Sequence, residues 1–424
     1  MVRVNLRGGT TLPYQEPTGE QRAGWRNDDG LAYFKRLATA WETFLDEEGL
    51  PVFKGVGVRD SRDLPRADWP RLGGKATFVQ LIGTNNDTGM FVVEVAPGTS
   101  LKPQKHMYEE RWVAIEGDGS VEVWKEGSSA RTSFEWHQWT AFSIPLNAWF
   151  RIENTGASPA VLIAANTAPR AMNTYANKEF IFENPFAFTD RFGGNLEDYW
   201  KVSTEYERQP VRGRAMVTSN LIPDISRIYL PLDNNRGPGH RWLAPNMTGN
   251  TQLQGWIAEY PSGRYAKAHA HAAGAVLLCL GGKGYSMTWP RDTAGVTPWA
   301  DGKADLVKSQ DYIPGGLISA APGPSNWFHQ HFAYGQDPMR FFLFTGNVPG
   351  ANDSRTDRSE EREGENIQAG LTDITQGGRA IPYYMEDAYI RKLFEQRLAE
   401  EGATLTMPSE VYTEAGKNVT VMTD

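Results

Sequence analysis

The sequence predicts an all-β protein made of two related barrels in tandem, with a helical arm at each end. Three observations carry this prediction. The 424 residues include 43 Gly and 26 Pro together with 14 Trp, 16 Tyr and 19 Phe, a turn-rich and aromatic-rich composition that suits β structure. Between two helical segments the apolar residues fall in short runs separated by Gly, Pro, Asn and Ser clusters, the pattern of a sandwich or barrel. The sequence also repeats itself at a constant offset, which points to two copies of one unit.

In chain order, residues 30 to 48 read as a helix. Leu31, Phe34, Leu37, Trp41, Phe44 and Leu45 recur at three- and four-residue spacing, after Asp28 and Asp29 and before Gly49. Strands are expected at Phe91 to Val95, Trp112 to Ile115, Phe150 to Ile152, Val161 to Ala165, Val276 to Leu280 and Phe341 to Phe344. Residues 350 to 366, GANDSRTDRSEEREGEN, lack large apolar side chains and read as a solvated loop after the second β unit. Residues 384 to 401 read as a second helix, with Met385, Tyr389, Leu393 and Phe394 on one side and Gly402 as its stop.

Composition narrows the function. Lys and Arg number 43 against 51 Asp and Glu, a formal charge of -8, so no basic surface recruits a nucleic acid backbone. The opening MVRVNLRGGTTLPY has no secretory apolar core and no run reaches the length of a membrane span, so a cytoplasmic protein without membrane partners is expected. A single cysteine, Cys279, excludes internal disulfides and Cys-rich zinc sites; set in an apolar run, it reads as a core thiol. Any metal must be held by His, Asp, Glu or an amide. Of the seven histidines, four fall at 269, 271, 329 and 331.

The repeat sets PGTSLKPQKHMYEERWVAIEGDG, from Pro97, against SGRYAKAHAHAAGAVLLCLGGKG, from Ser262. Gly98 aligns with Gly263, Gln104 with His269, His106 with His271, Glu110 with Ala275 and Gly117 with Gly282, each 165 residues apart. Further on, Pro145 aligns with Pro324, Phe150 with His329 and Asn154 with Ala333, at an offset of 179. Both copies resemble the two-part cupin signature, Gly-x5-His-x-His-x3-Glu-x6-Gly followed by Pro-x-Gly-x2-His-x3-Asn. Asn147 and Asn326 stand where that family has Gly. The resemblance implies a bicupin: two jelly-roll (double-stranded β-helix) barrels at about residues 76–168 and 246–348. Residues 1–75 form an N-terminal arm, 169–245 a connecting segment, and 349–424 the charged loop and C-terminal arm.

Carried over by resemblance, the ligand positions of the first copy hold Gln104, His106, Glu110 and Phe150, so no tight metal is expected there. The second copy has His269, His271 and His329, with Ala275 replacing the carboxylate. Alternation supports this site independently, because side chains two apart on a strand share a face. On that reasoning Tyr265 and Lys267 share the face of His269 and His271, while Trp327 and His331 share that of His329, with Phe328 and Gln330 turned outward. Neutral imidazole suits Fe, Zn, Mn, Ni, Cu or Co; one divalent metal per chain is expected, Fe(II) first among them.

Three neutral ligands leave the full ionic charge in place, so a small anionic chelating substrate, aromatic ones included, is expected. Lys267, and Arg340 on the following strand, are candidates for pairing with its carboxylate, and Tyr265 and Trp327 for lining the pocket. His331 is expected to act as an acid or base, or as a fourth ligand. Glu109 is expected at the surface, and His137 and His240 as structural residues. Resemblance to three-His cupin dioxygenases implies C–C bond cleavage with O2. The alternatives are an oxygen-independent metal enzyme (decarboxylase, isomerase, lyase or hydrolase) and a non-catalytic binding or storage protein. The arms could cover barrel edges within one chain or in a homo-oligomer.

Overall fold

The computed structural model describes residues 38–84, 87–189, 196–208, 214–250, 252–271, 274–322, 327–346 and 372–416. The helical reading of residues 30–37, the loop reading of 350–366 and the motif residues Pro324 and Asn326 lie outside them. One connectivity occurs twice. In the first half the large sheet runs Gly89–Val95, Ala160–Asn166, Glu110–Glu116, Ala141–Ile144, opposed by a small sheet of Trp149–Asn154, Gly119–Trp124, Arg131–Trp136. In the second half the order is Leu253–Tyr260, Met339–Gly346, Ala275–Gly281, Leu317–Ser319, opposed by Trp327–Ala333, Gly284–Pro290, Lys308–Tyr312. In each half the last strand inserts between the first and the second of the large sheet, so the chain forms two jelly-roll barrels.

All six apolar runs noted in the sequence lie inside strands, and burial explains why those at Trp112 to Ile115, Val161 to Ala165, Val276 to Leu280 and Phe341 to Phe344 are unbroken. The large sheets bury both faces: Ala160–Asn166 is buried at every residue, with Leu162 and Ala164 in the first barrel's core and Val161, Ile163 and Ala165 in a second core. That second core also takes Ile257, Val276, Leu278, Phe342 and Phe344 from the other half, so the two large sheets pack face to face. Strands buried on both faces read as continuous apolar runs, whereas Gly119–Trp124 in a small sheet alternates buried and half-buried residues.

The arms close sheet edges within the chain. Val52–Gly55 pairs in parallel with Lys75–Leu81 of the first barrel, and Gly57–Val58 pairs with Leu317–Ser319 of the second. From the connecting segment, Leu221–Ile222 pairs back onto Ala141–Ile144. Within the described part of the expected helix, Ala40–Glu48 is helical, opened by a reciprocal capping box of Thr39 and Glu42 and ended by Gly49 at φ 66°. Its buried face is Trp41, Phe44 and Leu45. The C-terminal helix is Ala388–Glu400, and its buried stripe is Ile390, Phe394 and Leu398. Tyr389, expected on the buried side, is instead largely exposed and stacks on Trp299 at 4.9 Å.

Glu109 is a further correction: it is buried at 4% exposure and its Oε2 accepts from the backbone N–H of Gln252 (2.7 Å) and Leu253 (2.9 Å). Nearby, Arg111 donates to the Leu253 carbonyl at 2.9 Å and to Asn250 Oδ1 at 3.2 Å. What is outside one barrel is inside the contact between two. Glu109→Ala strands two donors next to that contact, and a buried unmet donor costs about 1–3 kcal/mol. The expected result is a loss of about 2–4 kcal/mol in unfolding free energy, seen as a lower urea midpoint at unchanged slope. An unchanged midpoint would show that the clip contributes nothing.

Candidate metal centre

The strand His269–His271 pairs with Trp327–Ala333 so that His269 lies directly opposite His329 and His271 opposite Trp327. This register brings three imidazoles together. Ring centroids of His269 and His329 are 4.1 Å apart and those of His271 and His329 4.4 Å, and one donor nitrogen from each lies within 4.8 Å of the others. His269 and His329 are buried at 3% and 1% exposure. Burial, together with the charge of Arg236 and the neighbouring imidazoles, holds both well below the ordinary histidine value, so they are neutral and carry lone pairs.

The hydrogen bonding fits a metal. His269 Nδ1 donates to the Lys267 carbonyl at 3.0 Å, which places its proton there and leaves Nε2 as the lone-pair nitrogen. In His329, Nδ1 is buried with no hydrogen-bond partner, an expense a protein seldom tolerates without a ligand to offset it.

The three histidines open into a pocket of about 400 Å³, its mouth included. His331 lines it without joining the ligand trio; its Nδ1 hydrogen-bonds the Ser286 hydroxyl at 2.6 Å, and burial and the Arg236 charge hold it down at about 3. Trp242, Trp256, Tyr260 and Phe341 form aromatic walls.

Several expected neighbours are elsewhere. Tyr265 is fully buried on the other side of the strand, stacked on Phe332 and packed against Tyr383 and Phe394, with its hydroxyl on Glu386. The alternation fails because residues 266–268 are not strand: Ala266 packs with the pocket-side core, while Ala268 and Ala270 pack with Tyr265. Lys267 is ion-paired with Asp373 at 3.1 Å and is not among the pocket-lining residues. Arg340 points away, bound to Glu259 at 2.8 Å and to the Ile228 carbonyl at 3.0 Å, because its neighbour Phe341 faces the pocket. Half-buried Trp327 lies outside the lining as well.

In their place stand Arg214, Arg236 and His240, all from the connecting segment. His240, expected to be structural, is 1% exposed and its Nδ1 meets Asp233 Oδ1 at 3.2 Å. Burial pushes the Asp233 carboxyl up, but the His240 hydrogen bond and the Arg214 charge outweigh this and hold it below the carboxylate range. The one available signal was the turn-rich stretch DNNRGPGH, where charged groups sit among Gly, Pro and Asn. Cys279 is a core thiol as expected, pushed up to about 12 by burial.

The first barrel has the same frame without the ligands. Gln104 bridges Phe150 as His269 pairs with His329, and the aligned glycines share positive φ: Gly98 63° and Gly263 77°, Gly117 92° and Gly282 71°. Asn147, where the family has Gly, adopts φ 56°, a conformation Asn tolerates better than other side chains. The fold is a tandem pair of jelly-roll barrels. In the first barrel His106 Nε2 meets Glu110 at 3.3 Å and Nδ1 the Tyr108 carbonyl at 2.9 Å, while Phe150 packs edge-on against the ring.

No family model matches the sequence, and no curated protein does. Solved structures of oxalate decarboxylases are similar in fold at low identity. A Bacillus subtilis oxalate decarboxylase with Mn(II) centres shares 13% identity over 74% of this chain and 85% of that one, at a TM-score of 0.43. A Lactobacillus farciminis oxalate decarboxylase in a formate complex shares 11% over 68% and 86%, also at 0.43.

Proposed function

We propose that the second cupin barrel holds one divalent metal on His269, His271 and His329, and that the protein is a metal-dependent enzyme for a small chelating anion. The observation that carries this is the imidazole trio, His269 and His329 buried and His271 half-buried, with the orphaned His329 nitrogen, in a pocket lined by two arginines and no carboxylate among the described residues. A metal bound there supplies Lewis acidity toward a chelated carboxylate, carbonyl or hydroxyl oxygen.

The rest is the work of the chain. The three histidines each bring one ring nitrogen within 4.8 Å of the others, and the guanidinium groups favour the anionic form of the ligand. His331 on Ser286 and His240 on Asp233 place two neutral, hydrogen-bonded imidazoles on the pocket wall. Those groups favour polar, oxygen-independent chemistry of the decarboxylase, isomerase, lyase or hydrolase kind. The second reading is Fe(II)-dependent C–C cleavage with O2, favoured by the all-imidazole trio, which leaves the ionic charge of the metal intact for binding an oxidisable anion.

Metal analysis of the purified chain, followed by turnover of a panel of hydroxy acids, diketones and hydroxybenzoates with and without oxygen, tests both. Turnover that persists without oxygen supports the first reading. Strict oxygen consumption with iron supports the second, and a chain that takes up no metal overturns both.

A further inference from the structure

Resting on that metal-site reading, we infer that the pocket takes a dianion: one end chelates the metal, and a second, distal carboxylate pairs with Arg236 and Arg214. Two guanidinium groups line the pocket, which has no carboxylate in its lining among the described residues; Asp233 lies 3.6 Å from Arg214 and is also engaged by His240. A divalent metal on three neutral imidazoles adds two positive charges that no lining residue balances. A chelating monoanion therefore leaves the pocket cationic; a second carboxylate answers the arginines with charge-assisted hydrogen bonds.

The arginines are built into place. The Arg236 carbonyl accepts from the Lys267 N–H at 2.8 Å, tying the loop to the segment that leads into His269. The next residue must be glycine: a Cβ on Gly237 would sit 2.5 Å from the Tyr383 hydroxyl and 2.9 Å from the Tyr265 carbonyl. Arg214 lies over the Trp242 ring at 4.5 Å, which fixes it on the aromatic wall. Burial and the like charge of Arg214 pull Arg236 down to about 10, a cost that a bound anion offsets. Lys267 and Arg340, the cations suggested by strand alternation, are held by Asp373 and Glu259.

The test uses the full chain loaded with Zn(II), so that it does not depend on the reaction class. Affinities for malate and 2-hydroxybutyrate are read from the fluorescence of Trp242 and Trp256 on the pocket wall. The two probes share a 2-hydroxy acid chelating end and differ in the distal carboxylate. Malate is expected to bind about tenfold or more tightly, the scale of a charge-assisted hydrogen bond. Arg236→Gln is expected to erase the preference and Arg214→Gln to reduce it, with one zinc per chain retained in each. Equal affinities in the unaltered protein, or a preference that survives both substitutions together, would overturn the inference. Failure of the metal reading shows separately, as a chain that binds no zinc, and the inference then falls with it.

Discussion

His269→Ala and His329→Ala are each expected to leave the purified protein without metal, while His106→Ala leaves its metal content unchanged. The first two substitutions remove one of only three ligands in a site with no carboxylate in reserve, since Ala275 stands at the aligned carboxylate position. The affinity loss should exceed the roughly 10–100-fold that follows removal of an outer hydrogen bond to a ligand. His106 is different. Both its ring nitrogens are engaged, by Glu110 and by the Tyr108 carbonyl, its ring lies flat on Tyr108 at 3.7 Å, and Phe150 occupies the position equivalent to His329. Metal per chain after dialysis, measured by plasma mass spectrometry beside a near-ultraviolet dichroism spectrum to confirm folding, decides the matter. Equal loss in all three variants would put the metal in the first barrel.

The site was legible in the sequence where local rules act alone. The i, i+2 spacing of His269 and His271 and the aligned partner His329 suffice to name the trio, and the matched glycines at 98, 117, 263 and 282 mark turns that both copies need. The misplacements have physical causes. Tyr265 and Lys267 were placed by extending strand parity through residues 266–268, where the chain leaves the sheet to receive the C-terminal segment: Ala270 N–H bonds the Arg379 carbonyl at 2.9 Å and Ile381 N–H the Ala268 carbonyl at 2.7 Å. Arg340 lies in a strand whose pocket side is filled by the alternate residues Phe341 and Leu343. Glu109 was assigned to solvent by considering one barrel, whereas the outer face of that barrel is buried against the other. Arg214, Arg236 and His240 come from a segment with no repeat and no periodicity, so only the folded chain brings them to the pocket.

No helix among the described residues is long and apolar enough to cross a membrane. The C-terminal segment instead spends its apolar side chains on the second barrel, packing Ile381, Ile390, Phe394 and Leu398 around Tyr265 and Phe332. Glu386, at the entry to the last helix, sits half-buried in this contact, and among the described residues no cation is hydrogen-bonded to it. Its carboxyl meets the Tyr265 hydroxyl and accepts from Gln330 Nε2 at 3.0 Å; Tyr265 in turn donates to Tyr412 at 3.1 Å.

The second large effect is therefore expected from pH. Burial pushes Glu386 up from 4.5 to about 8, against the lowering effect of the Tyr265 and Gln330 hydrogen bonds. Across that window the folded chain keeps a proton that the unfolded chain has released, so the folded state binds more protons and its stability must fall as pH rises. The contribution is complete below about pH 4.5, declines through neutrality and levels off above about pH 8, with a total on the order of a few kcal/mol. Glu386→Gln imitates the neutral acid: its amide can donate to Tyr265 while its carbonyl accepts from Gln330. The variant should match the unaltered protein near pH 5 and exceed it in urea midpoint at pH 8 to 9, with a flatter pH dependence between. Parallel curves for the two proteins would show that Glu386 is ionised throughout, and that the contact between the arm and the barrel tolerates the buried charge.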